Sequence, residues 1–546
     1  MKKHALFLLL ILSWANPVFS QVNDVPFTSS NLPIIVINTA GNVIPDDPKI
    51  TADIGIIYNG PGMENRPTDP PNHLACKMGI SIRGSSSQMF PKKQYSIELR
   101  DDAGEDLETT VLGMPEEEDW ILFAPYNDKS LMRDVLAYKL GRDLSQYSPR
   151  TRFCEVVLNG KYQGIYVVIE KIKRDNFRLD INKLDPDEIS GNSLTGGYII
   201  KIDKTTGSGG DGWESSYPPQ PNAFGQEIFF LYDTPEEDEI TVEQKAYIRN
   251  FVSEFEDALA GDNFADPTEG YAKYVDVDSF IDYFLAQEIT KNPDGYRLSA
   301  FLHKQRDSDG GKLVMGPIWD FNLAFGNVNY CTSGTPEGFV FQFNTICNED
   351  FWLVPFWWHR LLQDENFKTK LTTRWTELRA TKWQEAVILD YVDSVADVLN
   401  NGGQQRNFNA WPVLSSYVWP NFYIGGSFAN EVNWLKEWIS QRLVWLDENL
   451  PQIITSANDE DLDLDVAAYP NPFSSHLNFE YTVSRAGKVQ VTLIDNLGRL
   501  VKSAIVDHNS PGKYTFSLTT DLPQSMYHYS LSENGIVLGK GKVSKR

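Results

Sequence analysis

Three short constellations carry residue types that can do chemistry. The first is Arg83-Gly84-Ser85-Ser86-Ser87, followed by Lys92-Lys93-Gln94-Tyr95. A strand that runs into a Gly/Ser turn leaves backbone N–H groups able to cradle phosphate oxygens, and Arg or Lys beside it neutralises their charge. An ordinary hairpin with solvated lysines is the other reading of the same residues. The second is Asn292-Pro293-Asp294-Gly295-Tyr296, directly after a helical pattern. Pro and Gly hold one carboxylate in a loop, a setting for a catalytic base or metal ligand and equally for a turn-forming Asp. The third runs from Gly316 through Trp319-Asp320-Phe321-Asn322 to Gly326. In an extended segment Asp320 and Asn322 project to the same side and can share a hard cation. A lone carboxylate among Trp319, Phe321 and Phe325 is costly unless it has a partner, which favours function over a simple strand cap.

Other motifs are absent or out of context. There is no GxSxG, HExxH or GxxxxGK[ST], and seven histidines are scattered without metal-ligand spacing. Gly207 to Gly212 matches GxGxxG, but Trp213-Glu-Ser-Ser-Tyr-Pro-Pro cannot open the helix such a loop requires, so it reads as a surface loop. Asp307-Ser-Asp-Gly-Gly311 is too short for an EF-hand and reads as a hairpin turn. No carboxylate pair stands out for glycoside hydrolysis.

The elements that must position these residues follow from periodicity. Residues 33 to 100 read mostly as strands. Ser130 to Leu144 is helical, with Leu131, Val135, Leu136 and Leu140 at helical spacing. Phe153–Leu158 and Gln163–Ile169 flank Asn159-Gly160, a strong hairpin signal. Residues 197–203 form a strand, 241–260 and 276–291 are helices, and 298–305 with 312–319 make a second hairpin. Residues near 350–400 and 429–450 are helical. Strands first and helices later, with a hairpin between helices, predict a bilobal α+β layout. Ala457 to Asp465 is an acidic linker, kept solvated by like charges. Beyond it, period-two runs at 476–483, 488–494, 513–518 and 526–531 are separated by turns at 495–498, 510–512 and 533–535. They predict a small antiparallel sandwich of six or seven strands.

The composition narrows the function. A net charge of −25 gives the chain no electrostatic attraction to nucleic acid or anionic lipid. Fourteen Trp are compatible with sugar platforms, although buried core is the commoner use of Trp. Lys2, Lys3, the apolar run Ala5–Leu12 and small residues before Gln21 form a signal-peptide pattern cleaved after Ser20. The run is too short to span roughly 30 Å of hydrocarbon, and no later stretch of about 18 apolar residues suggests an integral membrane protein. In an oxidising compartment, Cys331 and Cys347 are expected to close a short loop. Cys76 and Cys154 can pair across the fold or stay as free thiols.

In this order, the segments at 83–99, 158–172, 292–304 and 316–327 resemble the CotH family, the spore-coat-type atypical protein kinases, over about Leu32 to Asn329. The resemblance implies a kinase-like fold, Mg2+ and ATP as cofactors, and phosphorylation of Ser or Thr in a protein substrate. It assigns Asp294 as the catalytic-loop Asp and Asp320 as a metal ligand, with Asn322 and Ser299 beside the metal. It assigns Lys93 to the nucleotide phosphates with Arg83 and Ser85, and Glu170 as the partner that orients Lys93. Ser299 stands where members often carry Asn, and Asn322 where many carry a second Asp. Fewer negative ligands weaken Mg2+ binding. A non-catalytic surface module that binds polysaccharide or a partner protein is the rival reading.

The tail, with Tyr469-Pro470-Asn471-Pro472-Phe473 and the turn Asp495-Asn496-Leu497-Gly498-Arg499, resembles a type IX secretion sorting domain. This implies passage through that machinery to the cell surface or medium. The expected organisation is a signal peptide at 1–20, a kinase-like domain at 21–455 with core motifs at 32–329 and a helical extension at 350–450, a linker at 456–466, and an Ig-like all-β sandwich at 467–546.

Overall fold

The computed structural model describes residues 22–205, 211–220, 225–456, 466–483, 487–495, 500–510, 512–519, 521–533 and 536–546. The expected signal peptide, the acidic stretch 457–465, Gly207 and its neighbours to residue 210, and the turn residues 496–499, 511, 534 and 535 lie outside them. The chain divides into two compact units, 1–454 and 455–546.

In the first unit, β-branched runs with period two close into a barrel. Its strands are β1 (Ile34–Asn38), β2 (Ile50–Ile57), β3 (Leu74–Arg83), β4 (Gln94–Arg100), β7 (Asp119–Phe123), β8 (Thr151–Leu158) and β9 (Lys161–Glu170). A short hairpin, β5 (Thr109–Val111) and β6 (Met114–Glu117), interrupts the series. The barrel order is β1-β2-β3-β4-β7-β9-β8, with only β1 and β8 parallel. Closure leaves no free edge, and alternate residues such as Ile37, Met78, Ile80 and Val156 fill the inside. Asn159 and Gly160 take φ of 49° and 78°, the positive values that a two-residue hairpin turn demands.

A second, antiparallel sheet holds β10 (Tyr198–Ile202), β11 (Gly212–Glu214), β12 (Phe229–Thr234), β13 (Ala300–Lys304) and β14 (Leu313–Met315), in the order β11-β12-β10-β13-β14. Residues 316–319, expected to extend the last strand, leave the sheet after Met315. Helices frame both sheets: α1 (Arg133–Arg142), a single turn α2 (Gly191–Leu194), α3 (Val242–Ala260) and α4 (Val277–Thr290). α1 starts three residues later than its periodicity suggests. Asp128 accepts from the amides of Ser130 and Arg133 at 3.0 and 2.8 Å, which holds residues 128–132 in a turn. A capping box of Thr241 and Gln244 opens α3, and the Asp276 side chain caps α4.

Every residue of α4 from Ser279 to Thr290 is buried: the helices Trp357–Leu361, Glu365–Ala380 and Phe428–Ser456 pack on it, and Glu385–Asn400 and Gly403–Ala410 complete the helical part. Most of the Trp-rich region is therefore core. Trp357, Trp358 and Trp383 are wholly enclosed. Cys331 and Cys347 form a disulfide, whereas Cys76 and Cys154 are free thiols. No helix among the described residues is long and apolar enough to cross a membrane.

The second unit is an all-β sandwich. One sheet holds β15 (Ala467–Tyr469), β16 (His476–Val483) and β19 (Gly512–Thr519), and the other holds β17 (Gly487–Asp495), β18 (Leu500–His508), β20 (Met526–Glu533) and β21 (Ile536–Ser544). Leu477, Phe479 and Tyr481 from the first sheet meet Val489, Val491 and Leu493 from the second in a fully buried core.

Candidate functional site

A cleft of about 620 Å³ in the first unit collects residues that lie far apart in sequence. The β3–β4 turn contributes Arg83 and Ser85, the β7–α1 connection Asn127, and α1 itself Asp134. The end of β10 adds Lys201 and Asp203. The loops after α4 and β14 bring Asp294, Ser299, Asp320 and Asn322. Six of the eight residues predicted from sequence thus face one space: Asp294, Asp320, Arg83, Ser85, Asn322 and Ser299.

The Asp294 loop is rigidly built. Lys291 ends α4 in a left-handed conformation with φ 46°. Its ammonium donates to the carbonyls of Thr332 and Thr335, at 2.7 and 2.8 Å, and of Glu337. Tyr283 donates to the Gly295 carbonyl. A Cβ on Gly295 would stand 1.9 Å from Gln287 Oε1, so any other residue there would have to displace the buried Gln287 side chain. Arg297, itself buried, donates to Asp294 Oδ1 at 2.7 Å and is anchored in turn by Asp350 and the Trp352 carbonyl. Asn292 ties this loop to the next one by donating to the Asp320 carbonyl at 3.1 Å.

Asp320 has φ 64°. The segment is therefore a turn and not the extended strand expected, so the i and i+2 argument for Asp320 and Asn322 fails even though both reach the cleft. Asn322 Nδ2 donates to Asn127 Oδ1 at 3.4 Å. α1 holds the turn from behind: the Asp320 amide lies 3.3 Å from Tyr138 Oη, and the Phe321 amide donates to Asp134 Oδ1 at 2.9 Å. The Asp320 side chain is exposed to the solvent of the cleft; the protein around it, and then the charge of Asp294, still raise its carboxyl to about 6, while Arg83 opposes the rise. Burial, and then the charge of Asp320, push Asp134 well above the usual carboxylate range.

Lys93 and Glu170 are not part of this space. Lys93 Nζ donates to the Gln88 carbonyl at 2.5 Å and so closes its own turn. Glu170 is saturated by the Arg150 amide, the Arg150 guanidinium and Tyr147, at 2.8, 2.5 and 3.1 Å. The expected Lys93–Glu170 pair is not formed, because each group has a nearer partner. The adjacent Lys92 turns inward to the Ile165 carbonyl and Asn407. The cations that do line the cleft are Arg83, Lys201 and Lys204. Arg83 lies 5.6 Å from the Trp319 ring, and Lys201 pairs with Asp233 at 2.9 Å.

Sequence reasoning missed Lys201, Asp203 and Asp134. GYIIKID reads as a plain strand, and Asp134 falls within the helix read over 130–144 with nothing to single it out. At the cleft edge Trp419 stacks on Tyr330, with centroids 6.4 Å apart and 20° between the planes. Nearby in sequence, Tyr417 and Phe422 are also exposed.

Comparisons with known proteins agree with the motif-based reading. A family profile described as "CotH kinase protein" matches residues 80–446, and one described as "Secretion system C-terminal sorting domain" matches 467–543. The inner spore coat protein H of Bacillus subtilis (strain 168) is 25% identical over 255 residues, 47% of this chain and 60% of that protein, so the chain spans less than two thirds of this curated relative. Among solved structures, the alkylpurine DNA glycosylase AlkC of Pseudomonas fluorescens, bound to DNA containing an abasic site analog, matches 38% of this chain and 67% of its own at 13% identity. Its TM-score of 0.11 carries no structural argument. The sorting profile supports secretion or a cell-surface location and engagement of type IX secretion machinery.

Proposed function

This chain belongs to the CotH kinase protein family, and from that premise we propose that it is a secreted or surface-held atypical protein kinase that transfers the γ-phosphoryl group of ATP to Ser or Thr of an envelope or extracellular protein. The observation that carries this reading is the convergence of Asp294 and Asp320 in one cleft with Arg83 and Lys201. Its volume of about 620 Å³ suits a nucleotide-sized ligand. On this reading the barrel and the helical part act as the two lobes of a kinase-like fold.

Asp294 accepts the proton of the acceptor hydroxyl, and Arg297 fixes its orientation. Asp320 would hold Mg2+, with Asn322 and Ser299 offering neutral oxygens beside it. The metal, when bound, neutralises charge on the transferred phosphate. The buried carboxylate oxygen of Asp134, which has no hydrogen-bond partner among the described residues, fits a site built for a cation. Arg83 and Lys201 meet phosphate oxygens, with the Ser85 turn beside them, and so take the part first expected of Lys93. The signal-peptide pattern at 1–20 and the sorting tail deliver the protein across both membranes.

Calorimetry of Mg-ATP on the protein, with Asp320→Ala in parallel, tests the reading. Binding that the substitution removes is expected. A wild type that binds no nucleotide, or an Asp294→Ala variant that phosphorylates a generic acceptor at the wild-type rate, would overturn it. The second reading, a non-catalytic polysaccharide-binding module, draws on the exposed Trp419, stacked on the half-buried Tyr330, and on the neutral Asn322 and Ser299. Retention on insoluble glycans without nucleotide binding is its signature.

A further inference from the structure

Resting on that reading of the cleft, we propose that Asp134, on α1, is the second anionic ligand of a divalent cation held at Asp320. Helix α1 then supplies the negative charge that Asn322 and Ser299 do not.

Asp134 is only 3% exposed yet lines the cleft. One carboxylate oxygen, Oδ1, accepts from the Phe321 amide at 2.9 Å, which fixes the side chain against the turn carrying Asp320. The other, Oδ2, is buried and has no hydrogen-bond partner among the described residues. Buried polar atoms are satisfied in the great majority of cases, so an orphaned acceptor beside a second carboxylate calls for a missing partner. Asn127 repeats the pattern in the opposite sense. It is 3% exposed and lines the cleft, and its Nδ2 donor is buried without a partner. An unmet acceptor on α1 and an unmet donor on the connection that leads into it fit a cation that carries oxygen ligands: Asp134 faces the ion, and Asn127 donates to a water or phosphate oxygen upon it. Mg2+ is commonly held by one or two carboxylates with waters and phosphates completing the shell.

The contrast with Asp128, six residues earlier, is direct. Asp128 is equally buried, but its oxygens accept from Ser130 N, Ser130 Oγ and Arg133 N and pair with the Arg133 guanidinium. That carboxylate is complete within the protein. Asp134 is not.

The test uses Mn2+ as probe, followed by the paramagnetic signal of the free ion, on the wild type, Asp134→Asn and Asp320→Asn, each with and without ATP. Asn keeps the size of the side chain and its acceptor for the Phe321 amide. Asp134→Asn is expected to weaken Mn2+ binding by about 10-fold or more. Its metal-free melting temperature should equal or exceed that of the wild type, because a buried charge is gone, while the Mn2+-induced rise in melting temperature disappears. Mn2+ affinity within about 2-fold of wild type would overturn the proposal and make Asp134 a neutral, protonated structural group. Mn-ATP binding that needs Asp320 but not Asp134 would sink this inference and spare the kinase reading. Mn2+ binding that needs Asp134, in a protein that ignores ATP, would do the reverse. A wild type that binds no Mn2+ under either condition would overturn both.

Discussion

Two acidic regions of the first unit use the same residue types to opposite ends. Glu117, Glu118 and Asp119 bring three carboxylates within 4.8 Å of one another, the one such group of metal-binding type among the described residues. Lys173 lies 3.1 Å from Glu117 and 3.2 Å from Asp119 and also pairs with Glu118. Lys171 and Lys49 reach Asp119 at 3.3 and 3.8 Å, and Arg178 reaches Glu117 at 3.6 Å. Burial and a hydrogen bond shared with Glu118 raise Glu117, but burial is outweighed at Glu118 by that same hydrogen bond and then Lys173, and at Asp119 by Lys171, Lys173 and Lys49, so both carboxyls are lowered. In the cleft, Asp320 and Asp134 are both raised. Although Asp119 Oδ1 accepts no hydrogen bond among the described residues and has only Lys49 at 3.8 Å, the tighter cluster is a structural hub that already has its counterions. The looser set has not, and unmet charge in a concave site marks function better than crowding does.

Four measurements can break or sharpen this contrast. The largest effect is expected from Asp294→Ala, which should lower phosphoryl transfer on the order of 10³-fold in an initial-rate assay, while Asp119→Asn leaves the rate near wild type. Equal losses would erase the distinction between the regions. Next, Lys173→Met should cost about 2 kcal/mol of stability in denaturant titration by stranding the carboxylates of the hub, with Mn2+ affinity unchanged. A collapse of cation binding would join the two regions into one site. Third, Asp320 has a folded pKa near 6, above its unfolded value, so the folded state binds the proton more tightly. That contribution to metal-free stability is present at low pH and lost as pH rises through about 6. Melting temperatures at pH 5 and 7.5 should show a smaller decline in Asp320→Asn than in wild type, and an equal decline would remove Asp320 as the source. The smallest change is expected of Lys93→Ala. It should cost about 1 kcal/mol through the loss of its bond to Gln88 and leave nucleotide affinity in place. Abolished ATP binding would return Lys93 to the site.

Much of the architecture was readable in the sequence. Asn159-Gly160 and the helical runs 241–260 and 276–291 are local signals whose physics does not depend on distant residues, and the elements appear where those signals fall. The same holds for Arg83, Ser85, Asp294, Asp320 and Asn322, marked by Gly- and Pro-bounded loops, whereas Ser299 is marked only by the family resemblance. The failures also have a local cause. Lys92-Lys93 looks like a phosphate-binding pair, but one ammonium finds a carbonyl five residues back and the other a carbonyl on β9. Glu170 looked available until Arg150 and Tyr147 filled both of its oxygens.

The sequence by itself determined the order of elements, the β-rich tail, the Cys331–Cys347 pairing and the loops that present Asp294 and Asp320, because turn chemistry, periodicity and short-range closure are encoded within a few residues. Only the tertiary structure decided which charges remain without partners. Asp134 sits 186 residues from Asp320 in sequence (320 − 134). It meets the Asp320 turn because α1 packs behind it, and Asp128 and Asp134 cannot be told apart until the fold fixes which oxygens have donors. Neutralisation depends on three-dimensional distance, which residue spacing along the chain does not specify.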